Sequence, residues 1–456
     1  MKRRGNRLLL LLCLGTAQAS GQCIVDNPGG SKTNANRPLD ADVPPATYSP
    51  ISLINNALPH WLCFTAGYRA RAEGYSAGNL QAGNSDTYVL TRFRLGVAIR
   101  PTTWLRTYFE LQDATAFWKS APLSPPYQST WDLRRGYVDL GDVSTGRFSL
   151  RVGRQDLAFG HLRLIGTSYW RNASRGWDAV LGGINGKRAR LNVFSASVVQ
   201  PGDNGLSHHA EGNNLHGVYA VLKPFNGESA VEPYVFWRLA RAVQTDTGGS
   251  AKLDHKTVGM RWAGTTSNLD YDAELAAQTG SIGSDRVRAW AWSAVTGYTL
   301  QGWRRARVSL RLDYASGDKD PHDGVHRTFD QLFPNVHDHR GLADLVGWQN
   351  VVAMRWALRV PVRRNWLVAG AYNDWWLAQA ADAFYSAQGT VVALDRTGKS
   401  GTHIGREYDL QTSYRPNRHL ELAAGIGYLR SGGFVLRTHH AASYAYPFAM
   451  VYYNVF

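Results

Sequence analysis

The chain has 456 residues, which is enough for two or three soluble domains or for one large barrel. It carries 50 Lys and Arg against 35 Asp and Glu, giving a formal net charge of +15, and its mean hydropathy is −0.32. Outside the extreme N-terminus no run of about 18 apolar residues occurs, which excludes membrane-spanning helices from the rest of the chain. A closed β-barrel fits this polar average, because its apolar outward and polar inward side chains alternate and cancel in any window.

The N-terminus has the three parts of a secretory signal peptide. Four cations precede or adjoin an apolar run over residues 8–14, and Ala17-Gln18-Ala19 supplies a small-x-small cleavage site. We therefore predict a signal peptide over residues 1–19 and export of the protein. Residues 20–60, rich in Asn, Pro, Gly and Asp, are predicted to form a periplasmic extension with a short helix near 51–58, followed by a barrel over 61–456.

Two cysteines remain after removal of this signal, Cys23 and Cys63. Export places them in an oxidising compartment, where one disulfide would tie the extension to the first strand. Two free thiols are equally compatible with the sequence. Neither cysteine has a zinc-ligand partner at the usual spacing, and no cofactor is expected.

From residue 61 onward, apolar and polar residues alternate with a period of two. In the segment 88–99, for example, Phe93 and Leu95 oppose Arg92 and Arg94. Helical alternatives fail because no segment sustains a 3.6-residue period with caps. The pattern predicts an all-β fold, a single closed antiparallel transmembrane β-barrel of 18 strands. The predicted strands lie near 62–74, 86–99, 104–118, 131–141, 147–157, 176–184, 187–199, 213–223, 230–241, 254–264, 269–280, 285–298, 305–316, 347–360, 366–378, 403–414, 419–430 and 446–456.

The connections between these strands alternate in length. The even-numbered ones are tight, as at Asn185-Gly186, a strong signal for a two-residue hairpin. Most odd-numbered ones are long, including 158–175, 317–346, 379–402 and 431–445. Short periplasmic turns and long extracellular loops are typical of porin-like barrels. The loop 317–346 is a candidate constriction or lid. Whether it or 379–402 gates the pore stays open.

The last strand gives an independent indication of a membrane barrel. Phe448, Met450, Tyr452 and Phe456 share one face, and the final Phe456 resembles the signal read by the bacterial barrel-assembly machinery. Asn454 departs from that signal, which has an apolar residue there. The expected partners are therefore this assembly machinery and outer-membrane lipids, with periplasmic secretion partners if a polymer is exported.

Two long stretches resemble the alginate-export family of outer-membrane proteins. They are RVGRQDLAFGHLRLIGTSYWRNASRGWDAV, from Arg151 to Val180, and SGDKDPHDGVHRTFDQLFPNVHDHRGLADLVGWQN, from Ser316 to Asn350. Shorter similar stretches include GYRARAEGY at 67–75 and IGREYDL at 404–410. The resemblance implies an 18-stranded monomeric barrel in the outer membrane. It also implies export of an acidic polysaccharide through a basic pore.

Most of the cations are arginines, whose planar fork matches a carboxylate and stays charged at any relevant pH. An excess of Arg over acid on the inward phase would favour passage of anions. Cross-strand ion pairs that brace a polar interior are the structural alternative. The residues predicted to line the solute path are Arg69, Arg71, Arg92, Arg94, Arg106, Glu110, Asp139, Arg154, Arg163, Arg190, Arg238, Arg261, Glu274, Arg307, Arg311, Asp313, Glu407 and Asp409.

Arg154 and Arg163 belong to this set through the family pattern. In a regular strand Arg154 would share the outward phase of Val152, so its inclusion assumes that a bulge at Gly153 turns it inward. The residues that follow, such as Trp170 and Asn172, are predicted to fold the long segment back towards the lumen.

The loop 317–346 contains weak metal-ligand candidates, Asp320, His322 and Asp323. Their spacing matches no metal motif, and a hydrated extracellular loop explains the polarity equally well. We therefore predict no metal site.

The predicted function is that of an outer-membrane channel, and not of an enzyme, for export or diffusion of an anionic, alginate-like polysaccharide. An anion-selective or general porin for small solutes is the main alternative. An outer-membrane enzyme is disfavoured because the sequence lacks a G-x-S-x-G nucleophile elbow, and a soluble secreted carbohydrate-binding protein because of the loop asymmetry. Nucleic-acid binding is discounted because the cations follow the strand alternation.

Overall fold

The computed structural model describes residues 50–455 except 121–122, 124–125, 143–145, 203–205, 224–228, 246–247, 303 and 440–442. The predicted signal peptide, most of the predicted extension with Cys23, and the terminal Phe456 therefore lie outside the described residues. A short helix, α1 (Pro50–Ala57), precedes the first strand, as expected. Asn55 of α1 fixes this helix to the barrel, because its side-chain amide donates to the carbonyl of Phe64 and accepts from its amide, both at 2.8 Å.

Eighteen long strands form the barrel. They are β1 (Leu62–Tyr75), β2 (Asp86–Ile99), β3 (Leu105–Phe117), β4 (Ser129–Leu140), β5 (Phe148–Gln155), β6 (Gly176–Asn185), β7 (Ala189–Gln200), β8 (His208–Leu222), β9 (Ser229–Gln244), β10 (Ser250–Thr266), β11 (Leu269–Ile282), β12 (Asp285–Thr299), β13 (Arg307–Ala315), β14 (Val351–Arg363), β15 (Trp366–Leu377), β16 (His403–Asn417), β17 (Leu420–Ser431) and β18 (Tyr444–Val455).

Each strand pairs antiparallel with its neighbours in sequence, and β1 pairs with β18 from Ala66 opposite Val455 to Glu73 opposite Phe448. This last pairing closes the sheet, so none of the described barrel strands is left as a free edge strand. The fold prediction is confirmed, with 18 strands in the predicted order. The largest boundary error is in β8, which begins at His208, because a register shift against β7 hides the alternation in its polar first residues.

The outward phase of the strands is apolar and exposed, whereas the inward phase carries the charges. On β1, Tyr68 is 45% exposed and its neighbour Arg69 is 3% exposed; on β2, Phe93 is exposed and Arg92 is buried. An apolar outer band of this kind is the surface that a membrane barrel presents to lipid. No helix in the described part of the chain is long and apolar enough to cross a membrane.

Two long connections fold into the interior of the barrel. We call residues 156–175, between β5 and β6, the first inner segment, and residues 316–350, between β13 and β14, the second inner segment. The second one adds the two-residue strand Val325–His326 to β12. The connection 378–402 contains a small hairpin of Phe384–Tyr385 with Val391–Ala393, which packs on the second inner segment through Gly347 N–H to Tyr385 O at 3.0 Å. A second helix, α2 (Gly433–His439), lies between β17 and β18.

Candidate pore and its inner segments

The two inner segments pair with each other inside the barrel. Ile165 and Phe333 form a parallel β-bridge, with Phe333 N–H donating to Leu164 O at 2.8 Å and Gly166 N–H donating to Phe333 O at 2.9 Å. The ring of His339 bonds to the carbonyl of His161 at 2.7 Å. The segments therefore form one internal layer rather than two independent loops, and 317–346, apart from an exposed turn at 319–323, is not a hydrated extracellular loop.

Aromatic packing holds the first inner segment against the wall. The ring of Phe159 stacks on Phe194 at 5.1 Å and on Tyr219 at 5.0 Å, and it also contacts Phe236. Burial of these aromatic rings makes a large contribution to the free energy that holds the first inner segment against the wall. Gly160 is required in the next position, since its φ is +55° and a Cβ there would lie 2.8 Å from the Tyr219 hydroxyl.

Arginines on β1 and β2 bind the backbone of the first inner segment. Arg69 and Arg92 face each other across the two strands, a like-charge pair that is unfavourable by itself. Both donate to the carbonyls of Tyr169 and Arg171, at 3.1 Å and 3.2 Å respectively. Arg71 donates to Trp170 O at 2.7 Å. These carbonyl groups stabilise the charges without neutralising them.

The same wall is connected to the segment by further side-chain bonds. Arg94 bonds to Ser174 Oγ at 2.6 Å and to Gln112 at 2.9 Å. Asn172 donates to the carbonyls of Thr91, Thr115 and Tyr127 at 3.0–3.2 Å. The Asn172 side chain thus joins β2, β3 and the connection that precedes β4.

A buried charge network joins the adjacent wall strands β9, β10 and β11 to the first inner segment. Arg261 pairs with Glu232 at 2.8 Å and with Asp272 at 2.7 Å. Arg163, from the first inner segment, reaches Asp272 at 2.9 Å and Glu274 at 3.0 Å. Two guanidinium groups thus share three carboxylates, and one of the two cations comes from the inner segment rather than the wall.

The second inner segment is bound in a similar way by side chains of β13 and β16. Arg340 pairs with Asp313 at 2.9 Å, and Arg311 donates to His339 O at 2.8 Å. The backbone amides of Leu342 and Ala343 donate to Asp409 and Glu407 at 3.3 and 3.1 Å. Near the first inner segment, Arg238 pairs with Asp330 of the second.

Other predicted path residues form ion pairs nearer the periplasmic turns. Arg106 and Arg151 both bind Asp139, each at 2.6 Å. Arg307 pairs with Asp270, and Glu110 pairs with Arg135. Arg190 lies on the inward phase of β7, two residues before the buried Asn192. The ion-pair bracing considered from the sequence therefore accounts for many of the predicted path residues.

Arg154 lies on the outward phase, which corrects its inclusion in the path. Gly153 has φ +122°, but the pairing of β5 with β4 and β6 continues in register through it. Arg154 stands opposite Asp178 and pairs with it at 2.8 Å, on the same phase as the exposed Val180. Its guanidinium is covered by Ser207, whose carbonyl it reaches at 3.0 Å. The alternation therefore persists, and no inward turn occurs.

Several interior cations carry no ion pair with any described residue. Arg69, Arg92 and Arg311 bind backbone or amide oxygens only. Arg175 likewise donates to the carbonyls of Gly166 and Phe333. Burial, together with the nearby charges of Arg171 and Arg238, lowers the pKa of Arg175 to about 9. These four arginines are therefore held by neutral oxygen atoms, with carboxylates such as Glu73 and Asp313 acting on them from further away.

Some residues that form interior ion pairs were not among those predicted from the sequence. Glu232 and Arg355 follow the strand alternation, so the sequence pattern could have identified them as inward-facing. Arg134 and Arg135 both face the interior because a register shift in β4 places two consecutive residues there. No periodic pattern identifies such a pair in advance.

The weak metal candidates lie in a surface turn. Asp323 pairs with Arg327 at 2.8 Å, and Asp320 Oδ1 accepts from the His322 amide at 3.0 Å. Within the ranges described above, no group of three or more His, Cys, Asp or Glu residues is placed to hold a metal ion. Cys63 is disulfide-bonded; the pairing with Cys23 stays a prediction because Cys23 lies outside the described residues.

A cavity of about 440 Å³ lies on the extracellular side of the inner segments. The ends of β1, β2 and β18 line it, together with Trp170 and Arg171 of the first inner segment and Asp344 of the second. Its walls are rich in tyrosine, including Tyr75, Tyr127 and Tyr444. A volume in this range is typical of ligand pockets, which measure about 300–1,000 Å³.

A closed antiparallel barrel of 18 strands, apolar outside and polar inside, defines an outer-membrane β-barrel of the porin type. Residues 60–448 match the family model described as alginate export, and the chain belongs to this family. A search of curated proteins gives no match.

Solved structures share the fold at low sequence identity. OpdQ from Pseudomonas aeruginosa aligns with TM-score 0.59 at 11% identity, over 86% of this chain and 97% of that chain. OccAB4 from Acinetobacter baumannii gives 0.58 at 10%, over 86% and 97%. OccK11 (OpdR) from Pseudomonas aeruginosa gives 0.55 at 12%, over 86% and 96%. At these identities the likeness supports the fold alone.

Proposed function

We propose that this protein is an outer-membrane channel that passes an anionic polysaccharide of the alginate type. The observation that carries the proposal is a group of interior arginines that form no ion pair with a described residue, including Arg69, Arg92, Arg175 and Arg311. Membership of the alginate-export family supplies the substrate class. A carboxylated polymer exchanges contacts from one guanidinium to the next, and many moderate contacts favour release as well as entry.

The electrostatics of the interior also favours selectivity for anions over cations. Positive charges that are held by neutral carbonyl groups keep their field, and a low-dielectric wall focuses it along the lumen. An anion entering this region gains Coulomb energy, whereas a cation is repelled. Because the ion pairs elsewhere in the interior cancel locally, the region beside the first inner segment dominates the field.

The packing of the inner segments favours a second candidate function, an anion-selective porin for small solutes. The paired segments occupy interior volume that a polymer needs, and their contacts with the wall are extensive. Passage of a chain of sugar units then requires that the segments move, whereas a small anion passes around them.

Planar-bilayer recordings test both candidates. Purified protein is titrated with polymannuronate and with an unrelated acidic polymer such as polyglutamate. Concentration-dependent block by polymannuronate, at concentrations where polyglutamate has little effect, is the expected result. Block by neither polymer, with continued conduction of chloride, would favour the small-anion porin.

A further inference from the structure

We infer that the extracellular cavity of about 440 Å³ is a binding site for an acidic sugar unit, held by Arg171 and Asp344. This inference deepens the proposed function, on which its choice of ligand rests, by naming one site and the residues that would recognise the solute. The lining offers three features to such a ligand, namely a cation, a carboxylate and aromatic walls.

The guanidinium of Arg171 is free to bind an anion. The other cations that line the cavity are paired, Arg71 with Glu73 and Lys119 with Asp86. Arg171 uses its backbone to bind Arg69 and Arg92, but its guanidinium has no hydrogen bond or ion pair with any described residue. Burial lowers the pKa of Arg171, although the nearby charge of Asp344 acts in the opposite direction, and a bound carboxylate would stabilise this cation further.

Asp344 presents an unused acceptor to the same cavity. Its Oδ2 lies 3.0 Å from Nδ1 of His337, whereas its buried Oδ1 has no hydrogen-bond partner among the described residues. A buried acceptor without a donor costs about 1–3 kcal/mol. A hydroxyl group of a ligand would satisfy it.

Together these two groups select the class of ligand. A carboxylate is needed opposite Arg171, and a hydroxyl donor is needed opposite Asp344. Chloride or acetate supplies only the first, and a neutral sugar supplies only the second. A uronate residue carries both on one ring.

The aromatic walls fit the remaining surface of such a ring. Tyr75 stacks with Tyr444 at 6.3 Å, and Tyr88 lies edge-on to Tyr127 at 5.7 Å. Lys119 lies over the rings of Tyr75, Tyr88 and Tyr127, at 5.4, 4.6 and 4.3 Å from the ring centroids, so a sugar ring would contact these tyrosines at their remaining faces, edges and hydroxyl groups. Trp170 is not available for stacking, because His337 covers it at 3.8 Å and Arg71 lies over it at 3.9 Å.

Isothermal titration of the purified full chain with mannuronate disaccharide tests this site. We expect Arg171→Gln to weaken binding about tenfold or more, as loss of a charged hydrogen bond does. The substitution leaves the backbone carbonyl that Arg69 and Arg92 bind. The matched control is Arg241→Gln, at an exposed arginine that pairs with Glu211 away from the cavity, and it should leave the affinity unchanged.

A comparison of three ligands tests whether both Arg171 and Asp344 take part in recognition. Mannuronate disaccharide should bind at least about tenfold more tightly than either acetate or cellobiose. Equal affinity for acetate, or an Arg171→Gln variant that binds like wild type, overturns the inference. If Arg171→Gln does not fold, as judged by heat-modifiable gel mobility, Arg171→Lys replaces it. That variant keeps the charge but loses the planar fork, so severalfold weaker binding is expected and wild-type affinity contradicts the site.

Failure of this site and failure of the proposed function give different results. If polymannuronate blocks the channel but the disaccharide binds equally well to Arg171→Gln, only the site is wrong. If the disaccharide binds at Arg171 but no acidic polymer affects the conductance, the channel function is wrong and the cavity is a binding site of another kind.

Discussion

Replacing Arg163 with methionine tests whether the first inner segment is held in the lumen by charge. Arg163 is buried, lies on the inner segment and spans Asp272 and Glu274 on β11 at 2.9 and 3.0 Å. After the substitution Arg261 still pairs with Asp272, but Glu274 keeps only the hydroxyl of Tyr234, at 2.9 Å. Removal of one partner from a buried ion pair costs about 3–5 kcal/mol, because the remaining charge is left in a dry interior.

The first inner segment can be docked against the wall or released from it. The loss of Arg163 lowers the stability of the docked state and not of the barrel, because the strands pair independently of Arg163. At about 1.4 kcal/mol for each factor of ten, the released population rises about a hundredfold or more. Single-channel recordings should show larger or more frequent openings, and limited proteolysis should cut within residues 156–175.

The matched control is Arg415→Met, which removes a partly exposed pair with Glu421 near the periplasmic end. Such pairs contribute about 0–1 kcal/mol, so no change in conductance is expected. A folded Arg163→Met barrel with wild-type conductance and wild-type protease resistance would refute the reasoning.

Three further outcomes follow from the same contacts. Phe159→Ala removes the ring that stacks on Phe194 and Tyr219, and a lower thermal midpoint corresponding to about 3–5 kcal/mol is expected by circular dichroism. Burial lowers the pKa of His161 to about 4, so on acidification from about pH 6.5 to 4 the released segment takes up a proton that the docked one does not. Docking should therefore weaken by about 3 kcal/mol across that window, and His161→Gln should abolish this part of the pH dependence of channel opening. Peptide mass spectrometry without reductant should find Cys63 linked to Cys23; a different linkage would contradict the predicted pair.

The strands could be predicted because their signal is local. Alternation along β2 places Phe93 outward and Arg92 inward whatever the rest of the chain does, and Asn185-Gly186 specifies its own turn. The same rule assigned Arg154 to the outward phase, and the assumption of a bulge at Gly153 was the error. In this strand the periodic pattern was more reliable than the similarity to the family.

The inner segments could not be placed from the sequence because their contacts are remote along the chain. Arg163 meets Asp272 across 109 positions, and His339 meets His161 across 178. Polar loops of this composition are equally suited to water. A local sign of this packing is a glycine at a position that requires one. At Gly341, φ is +85° and a Cβ would collide with Glu407.

We propose that the interior conducts anions because arginines without an ion pair to a described residue keep their charge. The reversal potential of the channel in a tenfold KCl gradient measures this directly. We expect the sign of an anion-selective pore, and a shift towards cations when Arg69 and Arg92 are both replaced by glutamate. Cation selectivity of the wild-type channel, or an unchanged reversal potential in the double variant, would contradict the account.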